Sequence, residues 1–307
     1  MDLRDLVGIK YPIIQGGMAN IATHELAAAV SNAGGLGLVG AGGWDADRVR
    51  DEIRKTKALT DKPFGVNIML MSPHADAISD VVIEEGVKVV TTGAGNPAKH
   101  IPKWKEAGIV IIPVVPSVAF AKRLARSGAD ALVVEGTEAG GHIGEISTFC
   151  LVPQVCDAVD IPVIAAGGIA DSRGLDAAYA LGAKGVQIGT VLLASNECPV
   201  HDNYKQKVLK AKDTETVVTG RHTGAPVRVL KNKMARQYLD LSKYGNASLE
   251  ELEKLTLGSL RKAVLDGDKD WGSFMAGQSA GLVKELRSVE EILKDIFENS
   301  RVSKGLL

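Results

Sequence analysis

The sequence has little of several residue types, and each scarcity excludes a class of protein. Its 307 residues contain only three cysteines, Cys150, Cys156 and Cys198. They are too few for a disulfide framework, and they lack the paired C-x-x-C spacing of a zinc site. Aromatic residues make up 4% of the chain, so the core must be built from Ala, Val, Ile and Leu. The formal net charge of −1 excludes the strong positive field of a general nucleic-acid-binding protein.

Long apolar segments and targeting signals are lacking as well. No apolar run reaches the roughly 18 residues that a membrane-spanning helix needs. The first residues, MDLRDLVGIKYP, do not show the charged-then-apolar pattern of a secretory signal. Unpaired cysteines suit a reducing compartment. We therefore expect a cytoplasmic protein with neither a membrane nor a nucleic acid as its partner.

What the sequence does contain is a series of short apolar runs. Eight of them recur about 20–30 residues apart, the length of a strand–helix–strand unit, at residues 12–15, 35–39, 64–68, 87–91, 110–114, 131–134, 162–166 and 185–188. Amphipathic segments with helical spacing lie between them, for example at residues 23–33, 45–57, 117–127 and 172–181. Runs that are apolar throughout are typical of parallel strands covered by helices. The pattern predicts an α/β fold, a closed (β/α)8 barrel of the TIM type, with an open doubly wound sheet as the alternative.

The repeat stops after Ala194. Residues 196–275 contain no comparable run, and we expect loops and helices there, with helices at residues 204–212, 227–238 and 249–265. A last amphipathic helix at residues 289–299 is expected to pack back on the barrel. The predicted domains are therefore a barrel, residues 1–195 with 276–307, and a small, mainly helical lid subdomain, residues 196–275.

Ligands of a parallel barrel bind where the strands end, so the residues after each run are the candidates. The loop after the sixth run carries Glu135, Gly140 and His142; its glycines let a flat ligand approach the backbone, and histidine exchanges protons near neutral pH. A plain turn with a solvated histidine is the alternative for this loop. Gly167–Gly168 and Gly189–Thr190 follow the seventh and eighth runs, where barrels commonly bind phosphate through backbone N–H groups.

Other residues at the same end suit the rest of a flat, phosphorylated ligand. Met18 and Ala19 can face the apolar side of a ring, while Asn67 and Glu135 can hydrogen-bond to its edge. Residues 35–40 match G-x-G-x-x-G but lie within a run, without the context of a dinucleotide fingerprint; their glycines are expected to allow close approach of a helix or of the ligand. No cluster of His, Cys and carboxylates shows metal spacing, so we expect no catalytic metal.

Several segments together resemble one known family: QGGM at 15–18, Asn67, EGTEAGGHIG at 135–144, AAGGI at 165–169, QIGT at 187–190 and MAGQSAGLV at 275–283. In this order and spacing they are similar to the FMN-dependent nitronate monooxygenase and 2-nitropropane dioxygenase superfamily. Within it, the chain is most similar to the bacterial enoyl-acyl-carrier-protein reductase II branch. The features shared with that branch include EIST at 145–148, NYKQKVLKAK at 203–212 and PVRVLKN at 226–232.

The resemblance implies an FMN-containing barrel with a lid, and it makes His142 the catalytic acid/base. Gln187 belongs to the QIGT motif at the end of the eighth run. The implied FMN contacts are Gly16, Gly17, Met18, Asn67, Glu135, Gly140, Gly167, Gly168, Gln187, Gly189 and Thr190, with the phosphate at the last two glycine-containing turns. Monooxygenase relatives often have Gln where this chain has Glu135, so the contact of this residue with FMN stays open.

The resemblance also implies a reaction and a partner. NADH or NADPH would reduce a trans-2-enoyl thioester on an acyl carrier protein, the last step of the fatty-acid elongation cycle. Nitronate oxidation by O2, with the same FMN and His142, and flavin binding without turnover are the alternatives. Residues 203–236 hold nine Lys and Arg against Asp213 and Glu215, which favours an anionic partner such as the carrier; NADPH phosphate binding or a merely solvated face are alternatives. A homodimer is compatible with the sequence.

Overall fold

The strands of the barrel arise from the apolar runs. The computed structural model describes residues 2–243 and 247–307, so that Met1 of the predicted barrel and residues 244–246 of the predicted lid lie outside the described residues. Each of the predicted runs supplies one strand of an 8-stranded sheet. The described strands are β1 (Ile13–Gln15), β2 (Gly37–Gly40), β3 (Phe64–Met69), β4 (Val89–Gly93), β5 (Val110–Val115), β6 (Leu132–Glu135), β7 (Gly141–His142), β8 (Val163–Ala166), β9 (Val186–Ile188), β10 (Thr216–Thr219) and β11 (Val227–Leu230).

Helices follow most of the barrel strands and form the outer layer. Those described are α1 (Leu3–Val7), α2 (His24–Asn32), α3 (Ala46–Leu59), α4 (Ala75–Glu84), α5 (Ile101–Glu106), α6 (Val118–Arg126), α7 (Thr148–Cys156), α8 (Ser172–Ala180), α9 (Asp202–Leu209), α10 (Lys233–Lys243), α11 (Leu249–Thr256), α12 (Ser259–Arg261) and α13 (Val289–Glu298). Within this part of the chain, no helix has both the length and the hydropathy needed to cross a bilayer.

The sheet closes on itself. All its pairs are parallel, in the order β1-β9-β8-β6-β5-β4-β3-β2. The first and last strands of this order are joined by the N–H of Gln15 donating to the carbonyl of Leu36 (3.0 Å) and the N–H of Leu36 donating to the carbonyl of Ile13 (2.9 Å). The buried side-chain amide of Gln15 also donates to the carbonyl of Leu38 at 2.8 Å. The barrel prediction is therefore confirmed, and the open doubly wound sheet is excluded.

The interior of the barrel is packed with aliphatic side chains. One buried cluster unites residues of six strands: Ile14, Leu38, Val89, Ile112, Val133 and Ile164. The first helix, α1, adds Leu3 and Val7 to the same cluster, so that it covers the N-terminal end of the barrel. Burying a side chain of this size contributes about 1.5–3 kcal/mol. A ligand therefore has to enter from the C-terminal end.

The glycine-rich segment at residues 35–40 serves close packing. A Cβ atom on Gly37 would lie 1.8 Å from the carbonyl oxygen of Ala27 in α2. A Cβ on Gly40 would lie 2.8 Å from the carbonyl oxygen of Met18 in the loop after β1. These distances support the approach of a helix, the first of the two roles expected for these glycines.

The segment predicted as a helical lid also contains strands, which is a correction. β10 and β11 form an antiparallel hairpin, and β11 continues into a pair with β7, placing Val227 opposite His142. The helix predicted at residues 227–238 is therefore wrong at its start, and α10 begins only after Asn232, whose Oδ1 accepts the N–H of Ala235 at 2.9 Å. The helix predicted at residues 249–265 is interrupted at Gly258, which has a φ of +71°. The domain boundaries themselves stay a prediction.

Candidate functional site

The residues predicted to bind a ligand lie at or near the C-terminal ends of the barrel strands. Gly16, Gly17 and Met18 follow β1, Asn67 lies in β3, Glu135 ends β6, Gly140 follows β6, Gly167 and Gly168 follow β8, Gln187 lies in β9, and Gly189 and Thr190 follow β9. His142 lies in β7, beyond the loop that leaves β6. The structure therefore brings the whole predicted set to one mouth of the barrel, while the ligand itself stays a prediction.

The first loop lies tightly against its neighbours. The N–H of Gly16 donates to the carbonyl of Ile188 in β9 at 2.8 Å. A Cβ atom on Gly17 would lie 2.2 Å from Cγ of Asn67, whose amide donates to Oγ1 of Thr91 at 2.8 Å. The ends of β1, β3 and β9 thus form a continuous floor on which the backbone of Gly16 and Gly17 is not shielded by side chains of its own.

The two glycine turns after β8 and β9 are the candidates for an anion site, and the first of them has a left-handed backbone. Gly167 and Gly168 have φ values of +99° and +80°, which residues with a Cβ rarely adopt. Thr190 begins the 3-10 helix Thr190–Ala194, and its Oγ1 accepts the N–H of Gly277 at 2.8 Å. A cleft of about 360 Å³ opens beside Gly167 and Gly168 and is also lined by Gln278. The turn after β8 therefore has room beside it for an anionic group, and the carboxylate of Glu138, which also lines the cleft, is bound by the N–H and the hydroxyl of Thr148.

The side chain of Gln187 contains a buried hydrogen-bond acceptor without a partner among the described residues. Its side chain is 7% exposed, and its Oε1 atom is buried without a hydrogen-bond partner among the described residues. A buried acceptor in this state costs roughly 1–3 kcal/mol. Because the Nε2 atom lies 3.9 Å from the position of a Cβ on Gly16, the amide faces the floor of the mouth. A ligand that presents an N–H or O–H group there would remove this cost.

Glu135 is a second polar group without a partner. It ends β6 opposite Ala166, and in the described part of the chain its carboxylate has neither a hydrogen bond nor an ion pair; burial alone raises its pKa to about 7. Near neutral pH, therefore, the neutral carboxyl is accessible to this group, and in that form it can donate as well as accept a hydrogen bond. This group can therefore hydrogen-bond to either a donor or an acceptor at the edge of a ligand.

The raised pKa of Glu135 predicts a pH-dependent difference in stability between the ligand-free protein and its Glu135→Gln variant. The folded carboxyl has a pKa of about 7 against 4.5 for the ordinary carboxyl, so its ionisation costs stability as the pH rises through this range. Glutamine does not ionise, so we expect the variant to gain up to about 3 kcal/mol over the wild type near pH 8 and little near pH 5. Urea unfolding at both pH values measures this gain, and an equal gain at both would contradict it.

His142 is held by the lid hairpin. Its residue pairs with Val227 of β11, and the next N–H along the chain, that of Ile143, donates to the carbonyl of Pro226 at 3.1 Å. The residue is exposed, yet its partly desolvated ring has a lowered pKa. The ring is therefore mostly neutral near pH 7, with one N–H to donate and one nitrogen to accept a proton.

The loop before His142 depends on a segment near the end of the chain. A Cβ atom on Gly140 would lie 2.6 Å from the carbonyl carbon of Ala276 and 2.7 Å from the nitrogen of Gly277. The N–H of Gln278 donates to the carbonyl of Glu138 at 2.9 Å. Because Gly277 also bonds to Thr190, residues 276–278 connect the loop after β6 to the turn after β9.

Sequence reasoning missed two charged residues that shape this loop. The carboxylate of Glu138 accepts from the N–H of Thr148 (2.9 Å) and from its hydroxyl (2.7 Å), and so holds the start of α7. The guanidinium of Arg228 donates to the carbonyl of Thr137. The match of residues 226–232 and 275–283 to the family was the available signal, but a motif match gives no role to its members.

One group of side chains that could bind a metal ion lies on α2 and α3, outside the predicted site. Within residues 2–243 and 247–307, His24, Glu25 and Glu52 are the three residues whose possible ligand atoms lie close enough together, within 4.8 Å of one another, to hold a metal ion. The buried carboxylate of Glu52 accepts from the backbone N–H of His24 at 2.9 Å, lies 2.7 Å from its ring nitrogen Nδ1 and pairs with Arg48 at 2.8 Å. Glu52 thus caps α2 from α3, and this packing role accounts for the cluster.

Known proteins similar to this chain agree with the geometry. The sequence profile of the family described as nitronate monooxygenase matches residues 1–80 and 75–299. The structure of FabK from Thermotoga maritima superposes with a TM-score of 0.95 at 50% identity, covering 99% of this chain and 96% of that one. A probable nitronate monooxygenase of Staphylococcus saprophyticus is 36% identical over 95% of this chain and 96% of its own length. A (3aS,4S,5R,7aS)-5-hydroxy-7a-methyl-1-oxo-octahydro-1H-indene-4-carboxyl-CoA dehydrogenase of Mycobacterium tuberculosis is 35% identical over 96% of this chain and 94% of its own length. The chain belongs to the nitronate monooxygenase family.

Proposed function

We propose that this chain is an FMN-dependent enoyl-acyl-carrier-protein reductase that uses NADH or NADPH to saturate trans-2-enoyl thioesters. The observation that carries the proposal is the 50% identity to FabK, an enoyl-acyl-carrier-protein reductase II, over 99% of the chain. The curated relatives named as nitronate monooxygenases are less similar, at 36% identity or below. Nitronate oxidation is therefore the second candidate.

The mouth of the barrel fits FMN. The unpaired Oε1 of Gln187 and the carboxyl of Glu135 can satisfy polar groups at a flavin edge. The floor at Gly16 and Gly17 lets a flat ring lie against the backbone, and the turns at Gly167–Gly168 and Gly189–Thr190 suit the terminal phosphate. When bound, FMN supplies the hydride transfer that links NAD(P)H to the β-carbon of the thioester.

His142 has two proposed roles, which are to stabilise negative charge on the thioester oxygen and to transfer a proton. Its N–H can donate to the thioester oxygen, where negative charge develops during reduction. Once the ring has taken up a proton from solvent, the imidazolium can deliver that proton to the α-carbon and return to the neutral form. The lowered pKa of the free ring rises when negative charge forms beside it, so proton uptake is favoured at the moment when it is needed. The pairing of β7 with β11 fixes the backbone of His142, which reduces the cost of orienting its ring.

Anaerobic mixing tests the proposed function against its competitors. We expect the yellow protein to bleach with NADH or NADPH and to regain its colour when a crotonyl thioester is added. A nitronate monooxygenase would stay yellow with NADH and would consume oxygen with propionate-3-nitronate. A passive flavin carrier would do neither, and either of these two results would overturn the proposal.

The basic segment at residues 203–236 is only partly available to a carrier protein. Lys205 is 8% exposed and donates to the carbonyl of Ser195 at 2.8 Å, Arg228 is buried, and Arg221 pairs with Glu145. The other exposed cations of the segment are Lys210, Lys212, Lys231, Lys233 and Arg236. We propose that this smaller set, the lid cations, attracts the acidic carrier.

Neutralising three of the lid cations should weaken recognition of the carrier protein without affecting the reduction of small thioesters. Replacing Lys231, Lys233 and Arg236 together by Gln should raise KM for the enoyl carrier roughly tenfold at low salt, since each exposed charge contributes up to about 1 kcal/mol. The effect should fade at high salt, and turnover of a crotonyl pantetheine thioester should not change. The control replaces three exposed lysines outside the lid, Lys122, Lys294 and Lys304. An equal rise of KM in both triple variants would contradict a docking role.

A further inference from the structure

We propose that Arg228 is a positioning residue for His142, which holds the loop from Gly136 to His142 against the lid hairpin so that the ring stays at the barrel mouth. The inference rests on the proposed function, because it assumes that His142 acts on the thioester. It adds a residue of the lid to the reaction, and it gives the hairpin of β10 and β11 a part in catalysis.

Arg228 holds this loop at two separate points. Its side chain donates from Nε (3.1 Å) and Nη2 (2.9 Å) to the single carbonyl oxygen of Thr137, near the start of the loop. Its backbone lies opposite Gly141 in the pair of β11 with β7, at the end of the loop. One residue of the lid therefore fixes both ends of the segment that precedes His142.

The loop needs this restraint because its own backbone is permissive. Gly140 and Gly141 directly precede His142, and Gly141 has a φ of +78°. A change of backbone angle at Gly141 would redirect the imidazole if its pair with Arg228 were loosened. The other contact at Thr137 is its N–H, which donates to the carbonyl of Ile146 at 2.8 Å. Without Arg228, the carbonyl of Thr137 would lose both of its side-chain donors, and the entry of the loop would be held only by the N–H of Thr137 and by the contacts of Glu138 with Thr148 and Gln278.

Burying a guanidinium to hold this loop costs free energy of desolvation. Arg228 is 6% exposed, and its hydrogen bonds go to the carbonyl of Thr137 and, from Nη1 at 3.0 Å, to the hydroxyl of Thr216. Neither acceptor carries a charge, and burial lowers the pKa of the guanidinium. Desolvating a cation costs several kcal/mol that neutral acceptors only partly offset. What arginine offers in return is a rigid fork with several N–H groups, which a flexible ammonium does not reproduce.

The two half-reactions separate this role from general stability. In Arg228→Met, which keeps the length of the stem and removes the donors, we expect FMN affinity and the rate of flavin bleaching by NAD(P)H to stay within about twofold of the wild type. Recolouring by a crotonyl thioester should slow tenfold or more. Arg228→Lys, which keeps the charge, should recover only part of this loss, and free guanidinium added to Arg228→Ala should restore part of it. The control is Arg221→Met, which removes an exposed cation from the same hairpin and should recolour at the normal rate.

A second readout does not depend on turnover. The imidazole signal of His142 in the ligand-free protein can be assigned by its loss in His142→Gln, and it should shift in Arg228→Met and Arg228→Lys but not in Arg221→Met. Normal recolouring by Arg228→Met or Arg228→Lys, or an unmoved His142 signal, would overturn the inference. A wild type that bleaches but is not recoloured by the thioester would instead refute the proposed function, so the two failures are distinguishable.

Discussion

Replacing His142 by alanine should leave the protein yellow and slow thioester turnover by about a hundredfold or more, the usual contribution of a general acid. The ring lies beyond the loop after β6, while the phosphate turns follow β8 and β9, so FMN affinity should not depend on the imidazole. Steady-state turnover of a crotonyl thioester and FMN content after gel filtration measure the two effects separately.

A matched histidine provides the control for this result. His74 is also exposed and precedes α4, away from the loops after β6, β8 and β9. His74→Ala should therefore keep both turnover and flavin. Near-normal turnover in His142→Ala would remove His142 from the mechanism, whereas a colourless His142→Ala protein would show that its role is to bind the cofactor.

Replacing Gly140 by alanine should weaken FMN binding ten- to a hundredfold and abolish most turnover. The new Cβ would lie 2.6–2.7 Å from backbone atoms of Ala276 and Gly277, and overpacking of this kind costs typically 1–3 kcal/mol. Because the N–H of Gly277 also bonds to Thr190, the displacement should reach the phosphate turn as well as the imidazole. Titration of the FMN-free protein with FMN, followed by the quenching of flavin fluorescence, measures the affinity.

Gly108→Ala separates this effect from a general loss of stability. Gly108 has a φ of +70° and no atom within 4 Å of an added Cβ, so alanine is strained there without a clash. It lies between α5 and β5, before the strand begins, at the end of the barrel opposite the mouth. We expect reduced stability with unchanged FMN affinity. If Gly140→Ala also binds FMN normally, the contact of Gly140 with residues 276–277 has no part in the site.

The barrel could be predicted because its signal is local. Each parallel strand is buried on both faces and therefore reads as an uninterrupted apolar run, such as Val163–Ala166 with all four residues buried. The proposed position of the site follows from the same pattern, since glycine turns at the ends of the last two strands mark a common phosphate position. Both the strands and the proposed position of the site can therefore be predicted from chain order and composition alone.

The hairpin of the lid could not be predicted in this way. β10 is only four residues long and half-buried, and β11 completes its sheet with the two-residue strand β7, which lies far away in the sequence. An alternating segment at Val227–Leu230 and Asn232 as the cap of α10 were the available signals. Helical spacing continues across both segments and therefore predicts one helix where the structure has a strand followed by a helix.

The polar contacts of the site could not be predicted either, because they join residues that lie far apart in the sequence. Arg228 and Thr137 are 91 residues apart, and Gly277 and Thr190 are 87 apart. Pairings of this range depend on the folded arrangement of the barrel and the lid. Likewise, the orphaned oxygen of Gln187 becomes visible only when the burial of every neighbouring group is known.

A crystal structure of the FMN-bound protein would test the central claim most directly. The account predicts the phosphate about 3 Å from backbone nitrogens at Gly167–Gly168 and Gly189–Thr190, with a donor of the flavin on Oε1 of Gln187 and the isoalloxazine beside His142. A flavin bound outside the barrel mouth, or a phosphate that contacts neither glycine turn, would contradict it.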